Sequence, residues 1–267
     1  MLGIGIVIFN NLMNKNNFIG EEESDIYEVL CQLITTIQLF TTEDYILIVR
    51  DNDSLDYRFN RFNITLRNRF NSPSNIIFIK SKVNNLTDGW NEILDITLNQ
   101  YNCYGTILLN QDILLTKYWN SYTEILKVQS RDLIGPLTNN VTYQTNQLVT
   151  EEDFVPKNTL THVPIIQGFC LGGSKKCFME NMYNSHNKEF FNPQIEWCFN
   201  EDEWMQRNNK TGGRCLILNN AYIIHLNNNS WKRNECISTK LPDTVYPPTY
   251  RNSVLGILDY NQYIKGI

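Results

Sequence analysis

The fold is decided first by residues 45–56, YILIVRDNDSLD, in which five apolar residues run directly into an acidic and amide-rich turn. Consecutive apolar residues predict a strand that is covered on both faces, as in a parallel sheet flanked by helices. Residues 4–9, IGIVIF, and residues 106–109, TILL, have the same character. These three runs predict the centre of a parallel sheet.

Helical patterns separate the predicted strands. Apolar residues recur at helical spacing from Ile26 to Ile37 and again from Trp90 to Tyr101, with a further strand at 76–79 between them. This alternation predicts an α/β fold with a mostly parallel central sheet flanked by helices. The second half is less regular, and there we expect strands at 133–135, 142–149, 165–166, 214–218 and 222–225, with helices at 175–186 and 202–209.

Composition narrows the class of partner. The 267 residues carry 23 basic and 28 acidic side chains, a net charge of −5. That balance argues against nucleic acid or an anionic membrane as the main partner, since both attract basic surfaces. With 42% hydrophobic and 19% charged residues, the sequence has a globular composition.

Cysteine usage and apolar runs bear on location. The seven cysteines include no C-x-x-C pair and no zinc-spaced cluster, which indicates a reduced, intracellular protein. No segment approaches 18 apolar residues, and the first nine residues lack the basic start and cleavage site of a signal peptide. We therefore expect a cytoplasmic protein without an integral membrane segment. The asparagine-rich composition would suit a large DNA virus or an AT-rich microbe; a viral protein would lie in the host cytoplasm or the virion.

Polar residues follow the predicted strands at one edge of the sheet. Strand one ends in Asn10, strand two in Asp51 and Asp53, and strand four in Asn110 and Asp112. Ligands of open α/β sheets bind beyond the carboxyl ends of the strands. An acidic edge suits an anion that arrives with a divalent cation, because Mg²⁺ and Mn²⁺ take oxygen ligands and bridge phosphates. Local turn chemistry is the other interpretation of each cluster.

Several segments, in order, resemble the nucleotide-sugar glycosyltransferases of the GT-A fold, with the inverting family-2 type as the closest match. Their positions are 6–10, 48–56, 84–91, 108–112, 168–173, 201–207, 224–225 and Ser230. The resemblance covers about residues 4–232 and implies one GT-A-type domain over 1–267. Within it, residues 1–112 would bind the nucleotide, 113–232 would supply the acceptor and catalytic half, and 233–267 would form a tail.

The resemblance implies a sugar donor linked to UDP, with GDP or TDP as alternatives. Asp51 and Asp53 would hold the nucleobase and ribose, and Asn10 would lie near the uracil or guanine. The other implied donor-binding residues are Asn85, Gly89, Asn91, Asn110 and Gln111. Residues 110–112 replace the family's Asp-x-Asp, so that Asp112 keeps the metal-ligating acid while Asn110 adds no charge. His225 could complete the shell of a Mn²⁺ or Mg²⁺ ion.

The acidic segment 201–207 would supply the catalytic base. Inverting transfer needs one carboxylate that takes the proton of the acceptor hydroxyl. The Glu-Asp dipeptide points to Asp202, which we prefer, whereas counting back from Arg207 points to Glu201. The remaining residues implied for the acceptor or sugar are Gly172, Gly173, Trp204 and Arg207. A core role for Trp204 and a helix-dipole role for the acidic residues stay open.

The function that follows is a metal-dependent, inverting glycosyltransferase that moves a sugar to a hydroxyl of a glycan or protein. The alternative is a degenerate sugar-nucleotide-binding or scaffold protein, which Asn110 favours and the intact acidic segment disfavours. A nucleotidyltransferase would need a glycine-rich and basic loop after strand one, and residues 10–15 do not provide it.

Overall fold

The structure is a computed structural model that describes residues 1–8, 26–53, 56–69, 74–141, 144–196, 200–226 and 252–266. Its strands are β1 (Leu2–Ile8), β2 (Tyr45–Asn52), β3 (Ile76–Ser81), β4 (Gly105–Leu109), β5 (Ile113–Leu115), β6 (Leu133–Thr138), β7 (Thr159–Val163), β8 (Cys170–Ser174), β9 (Cys215–His225) and β10 (Gly256–Asp259). Its α-helices are α1 (Ile26–Phe40), α2 (Asp56–Arg69), α3 (Leu86–Leu94), α4 (Asn120–Ile125), α5 (Lys175–Glu180), α6 (Asn200–Lys210) and α7 (Tyr260–Ile264).

The strands form one sheet in the order β10-β7-β9-β6-β8-β4-β1-β2-β3, with β5 paired to β9 off this path. Parallel pairing joins β3, β2, β1 and β4, the part that the sequence predicted best. Beyond β4, antiparallel strand β8 enters, and β6 and β9 are the one parallel pair among the described strands of that half. The predicted α/β class with a central sheet flanked by helices is confirmed.

Two helical layers cover the parallel strands. Side chains alternate between the two faces of a strand, and β1 shows it clearly. Ile4 and Ile6 pack with the apolar face of α1, whereas Val7 packs with α3 on the other side. On the α3 side, a Cβ added to Gly5 would collide with Ile93 Cγ2, so glycine makes room for the Ile93 side chain. This close approach brings α3 tightly onto β1, which matters for the site below.

The strand register brings the predicted polar turns to one edge. Ile8 pairs with Asp51, and Ile6 pairs with Leu109 on the other side of β1. The chain therefore leaves β1 toward β2 on one side and reaches β4 on the other. Such a reversal of strand order opens a crevice at the carboxyl ends, which is where ligands bind in these sheets. Asp51 and residues 110–112 flank this crevice.

Several elements of the second half differ from the prediction. Residues 145–147 form a 3₁₀ turn, because the Gln144 side chain accepts a hydrogen bond from the Asn146 amide and bends the chain. Strand β7 ends at Val163, before the predicted 165–166. Helix α5 ends at Glu180, six residues before the end of the predicted helix, where the Asn181 side chain donates to the Cys177 carbonyl. The predicted pair of strands at 214–225 is the single strand β9.

Some predictions fall outside the described residues. These are the donor-binding role of Asn10, the late Ser230 and most of the tail from 233 to 251. In the part of the chain that the structure describes, no helix has the length and apolar character needed to cross a membrane.

Candidate donor and catalytic site

The carboxyl end of β2 is organised by Arg50, which the sequence interpretation missed. Its buried guanidinium donates to Glu92 Oε2 at 2.7 Å and Ser81 Oγ at 3.0 Å, and also contacts Asn52 Oδ1. Asp51 follows as a buried carboxylate, and Asp53 is exposed with φ at 60°. The sequence contained a signal for this role, because a charged side chain directly after a buried strand needs hydrogen-bond acceptors or an anion beside it. Arg50 therefore braces the turn that presents Asp51.

The predicted donor-binding residues near α3 have structural roles. Asn85 caps the helix by accepting from the Asp88 amide at 3.0 Å. Gly89 allows contact with β1 and β2, since a Cβ there would lie 2.7 Å from Val7 Cγ2. The side chain of Asn91 is engaged by the backbone of residues 190–191. These three residues make packing or capping contacts, and the donor contact implied by the resemblance stays a prediction.

Asp112 and His225 meet at the crevice, as the sequence predicted. Ile113 of β5 pairs with His225 of β9, and the Leu226 amide donates to the Asp112 carbonyl at 2.9 Å. This ladder places His225 Nε2 3.4 Å from Asp112 Oδ1. That distance is within ion-pair range, but the atoms are not aligned as a hydrogen bond. A carboxylate and an imidazole thus face each other at the edge of the sheet.

The loop after β6 orients the imidazole of His225. Its Nδ1 lies 3.2 Å from the Asn140 carbonyl, and its amide donates to Asn139 Oδ1 at 2.7 Å. A proton on Nδ1 that bonds this carbonyl leaves Nε2 as a lone pair toward Asp112. Burial would lower the pKa of His225, but Asp112 and the Asn140 carbonyl outweigh it and raise the pKa above its ordinary value.

The donor set fits a divalent cation. Asp112 is only 4% exposed, and its Oδ1 has no hydrogen-bond partner among the described residues, an arrangement that costs free energy unless a ligand compensates it. Carboxylate oxygen and imidazole nitrogen both suit Mn²⁺, and carboxylate oxygen also suits Mg²⁺. Within the described ranges, no group of three or more His, Cys, Asp or Glu side chains could hold a metal. A diphosphate and water would have to fill the remaining positions.

Glu201 reaches the same edge from α6. A Cβ built on Gly168 would lie 2.6 Å from Glu201 Oε1, so the glutamate side chain occupies the space that the missing side chain leaves. The next residue, Phe169, accepts from the Asn110 amide at 2.9 Å, and its ring centroid lies 5.3 Å from that of His225. Glu201 is therefore one residue away from the contacts that join Asn110 and His225. Gln111, which lies between Asn110 and Asp112 in the sequence, is also buried.

Asp202 lies in a different environment from Glu201. It is 3% exposed, whereas Glu201 is half-buried. Burial raises the pKa of the Cys215 thiol at the start of β9, and the negative charges of Asp132 and then Asp202 raise it further. Of the two candidate bases, Glu201 is the one whose side chain packs against Gly168, two residues before β8.

The four residues implied for the acceptor or sugar have packing roles in the structure. Trp204 is 0% exposed and packs its ring between Phe178 and Phe191, so no face is open to a sugar. Gly172 and Gly173 are buried inside β8, where a Cβ would collide with Tyr122 and Phe178. Arg207 pairs with Glu203 through two contacts of 3.1 Å and donates to backbone carbonyls, which anchors α6.

Three solved structures share this architecture. The first is GalNAc-T7, solved with UDP, GalNAc and Mn²⁺; it matches 84% of this chain and 43% of its own, with 13% identity and a TM-score of 0.57. TarS from S. aureus, residues 1–349, matches 84% of this chain and 59% of its own, with 11% identity and a TM-score of 0.56. The mannosyltransferase PcManGT from Pyrobaculum calidifontis, solved with GDP-Man and Mn²⁺, matches 87% and 59%, with 10% identity and a TM-score of 0.54.

These likenesses concern the fold. The predicted GT-A fold is confirmed by them, and the chain spans between 43% and 59% of the length of the three proteins. No family model matches the sequence, and no curated protein matches it.

Proposed function

We propose that this chain is a metal-dependent glycosyltransferase that moves a sugar from a nucleoside-diphosphate donor to a hydroxyl group, with inversion at the anomeric carbon. The observation that carries the proposal is the approach of His225 to Asp112, with Phe169 against His225 and Glu201 against the adjacent Gly168, at the strand-order reversal of a GT-A fold. Such a transfer needs metal ligands and a proton acceptor. Asp112 and His225, which lie within ion-pair range of each other, would provide the first, and the half-buried Glu201 would provide the second.

The donor would lie across the first half of the sheet, within residues 1–112. Asp51 and Asp53 at the end of β2 would hold its nucleoside, braced by Arg50. Asn110 and Gln111 would line the path toward the diphosphate, and Asn10, which lies outside the described residues, would lie near the base. The nucleotide is UDP in this proposal, with GDP or TDP as alternatives, and the fold relatives solved with UDP and with GDP-Man support that range.

Asp112 and His225 would hold the Mn²⁺ or Mg²⁺ ion. When bound, the cation neutralises charge on the diphosphate that leaves. Asp112 would contribute the anionic oxygen, and His225 would contribute Nε2 in the neutral tautomer whose proton lies on Nδ1, facing the Asn140 carbonyl. These assignments rest on Asp112 Oδ1, which accepts no hydrogen bond from the described residues, and on the approach of the imidazole to it.

Glu201 would act as the general base. Its carboxylate accepts the proton of the acceptor hydroxyl while the hydroxyl oxygen bonds to the anomeric carbon and the bond from that carbon to the diphosphate breaks. The acceptor, a glycan or a protein, would approach from residues 113–232. Glu201 is preferred over Asp202 because its half-buried side chain packs against Gly168, the residue before Phe169, whereas Asp202 is only 3% exposed.

A thermal-shift screen tests the donor class. UDP, GDP, TDP and CMP are added to the protein with and without Mn²⁺. A ligand at about 100 times its Kd adds roughly 2.7 kcal/mol, which raises the Tm by several degrees. One nucleotide that stabilises only with Mn²⁺ would support the proposal and name the donor. Absence of any shift would favour a protein with this fold but without a working donor site, the alternative that Asn110 suggests.

A further inference from the structure

A buried set of hydrogen bonds joins the start of α3 to the chain that leads into α6. Thr87, in the first turn of α3, is fully buried and donates its hydroxyl to the Ile195 carbonyl. The Thr87 amide donates to the Glu196 carbonyl at 3.2 Å. These partners lie more than 100 residues along the chain, so the contacts tie two distant segments together.

Asn200 extends this connection to the proposed base. Its Nδ2 donates to Thr87 Oγ1 at 2.9 Å, and its Oδ1 accepts from the Glu201 amide at 2.9 Å. Asn200 is fully buried and begins α6. The backbone of Glu201 is therefore one residue and one hydrogen bond away from Thr87. A second contact supports the same segment, because Asn91 accepts from the amides of Phe190 and Phe191 at 2.9 and 2.8 Å.

The other side of α3 is fixed to the half that would bind the donor. Gly89 lies against Val7 of β1 and against the Arg50 side chain. Arg50 also donates to Glu92, which lies one helical turn after Gly89 in α3. Arg50 directly precedes Asp51, which would hold the nucleoside. Helix α3 thus contacts the proposed donor side with one face and the approach to the proposed base with its first turn.

We propose that Thr87 and Asn200 are positioning residues that fix the Glu201 carboxylate relative to the donor edge. The inference rests on the proposed function, since it assigns Glu201 the proton-accepting role. A hydrogen bond with only a folding role would change stability and nothing else. A positioning role also changes turnover, because a displacement of about 1 Å at the reacting groups can lower the rate about 100-fold.

Thr87→Val tests this inference, with Thr87→Ser as the conservative variant. Valine keeps the shape and loses the hydroxyl, whereas serine keeps the hydroxyl. Thr97→Val is the matched control, since Thr97 is equally buried and its hydroxyl is hydrogen-bonded to Thr106 Oγ1 at 2.7 Å. Thr97 packs against Gly3, at the end of β1 opposite to the crevice. The assay measures release of the nucleoside diphosphate from UDP-glucose, UDP-galactose, UDP-N-acetylglucosamine and GDP-mannose with Mn²⁺.

The expected result is a split between kcat and KM. Thr87→Val lowers kcat by about 10- to 100-fold with the KM of the donor unchanged. Thr87→Ser restores kcat to near the wild-type value, and Thr97→Val loses stability alone. Equal kcat values for Thr87→Val and Thr97→Val would overturn the inference, whether both stay at the wild-type value or both fall by the same factor.

Hydrogen exchange separates this inference from the proposed function. Thr87→Val should speed exchange of the amides at the start of α6 more than Thr97→Val does. If wild-type protein releases no nucleotide from any of the donors, the proposed function fails and the catalytic part of the inference fails with it. Equal exchange at α6 in the two variants would overturn the connection between α3 and α6 whatever the activity.

Discussion

Replacing Gly168 by alanine should remove activity with little loss of stability. The added Cβ would lie 2.6 Å from Oε1, 2.8 Å from Cδ and 3.0 Å from Cγ of Glu201. Non-bonded carbon atoms favour about 3.5–4.0 Å, so the carboxylate must move by roughly 1 Å. The obstructed atoms are the end of a flexible side chain, so we expect a rotamer cost of about 1 kcal/mol. The same displacement at a reacting group costs about 100-fold in kcat, or about 2.7 kcal/mol of activation free energy.

The assay compares kcat for nucleoside-diphosphate release with the free energy of unfolding in urea. Gly256→Ala is the matched control, because a Cβ at that position meets nothing within 4 Å. We expect kcat to fall in Gly168→Ala alone, while nucleotide affinity with Mn²⁺ stays at the wild-type value in both variants. Wild-type kcat in Gly168→Ala would refute the placement of Glu201 as the base.

Three further predictions concern other parts of the structure. Asp112→Asn should abolish the Mn²⁺ dependence of nucleotide binding measured by calorimetry, since an amide has no charge to hold the cation; unchanged dependence would remove Asp112 from the metal site. Trp204→Ala should cost about 3–5 kcal/mol of unfolding free energy because the indole is fully buried, and a loss below about 1 kcal/mol would contradict that burial. Burial raises the pKa of Cys103 to about 11, so iodoacetamide at pH 8 should label its peptide only after unfolding, as mass spectrometry would reveal.

The sequence predicted the parallel half of the sheet because the physics there is local. Apolar runs such as residues 45–49 must be buried on both faces, and a helical face such as that of Ile26 to Ile37 must pack on them. The joint placement of Asp51 and Asp112 then follows from strand direction alone. Register confirms it, since Ile8 pairs with Asp51 and β4 runs parallel on the other side of β1.

The roles of single residues in the second half depend on long-range packing. The sequence around Trp204 does not state that Phe178 and Phe191 enclose its ring. The choice between Glu201 and Asp202 likewise depends on Gly168, over 30 residues earlier, which opens space for one carboxylate. Spacing to Arg207 indicated Glu201 and the dipeptide indicated Asp202, so local pattern alone left the assignment open.

Long-range packing also explains why the sequence does not reveal the hydrogen bonds made by two residues that the resemblance implies as donor-binding. Asn85 and Asn91 are polar residues near the crevice, and a sequence pattern does not separate a helix cap from a donor contact. In the structure their hydrogen bonds go to the Asp88 amide and to the backbone at 190–191. Arg50 was overlooked because it lies between two recognisable patterns, the apolar strand and the acidic turn.

The most direct test of the account is the release of nucleoside diphosphate from sugar nucleotides by wild-type protein and by Glu201→Gln, each with Mn²⁺ and with EDTA. Asp202→Asn serves as the comparison, since Asp202 adjoins Glu201 in α6 and is the more deeply buried of the two carboxylates. The account predicts release by wild type that requires the metal, loss of release in Glu201→Gln with nucleotide binding retained, and activity in Asp202→Asn. Release that persists in EDTA, or in Glu201→Gln, would contradict it.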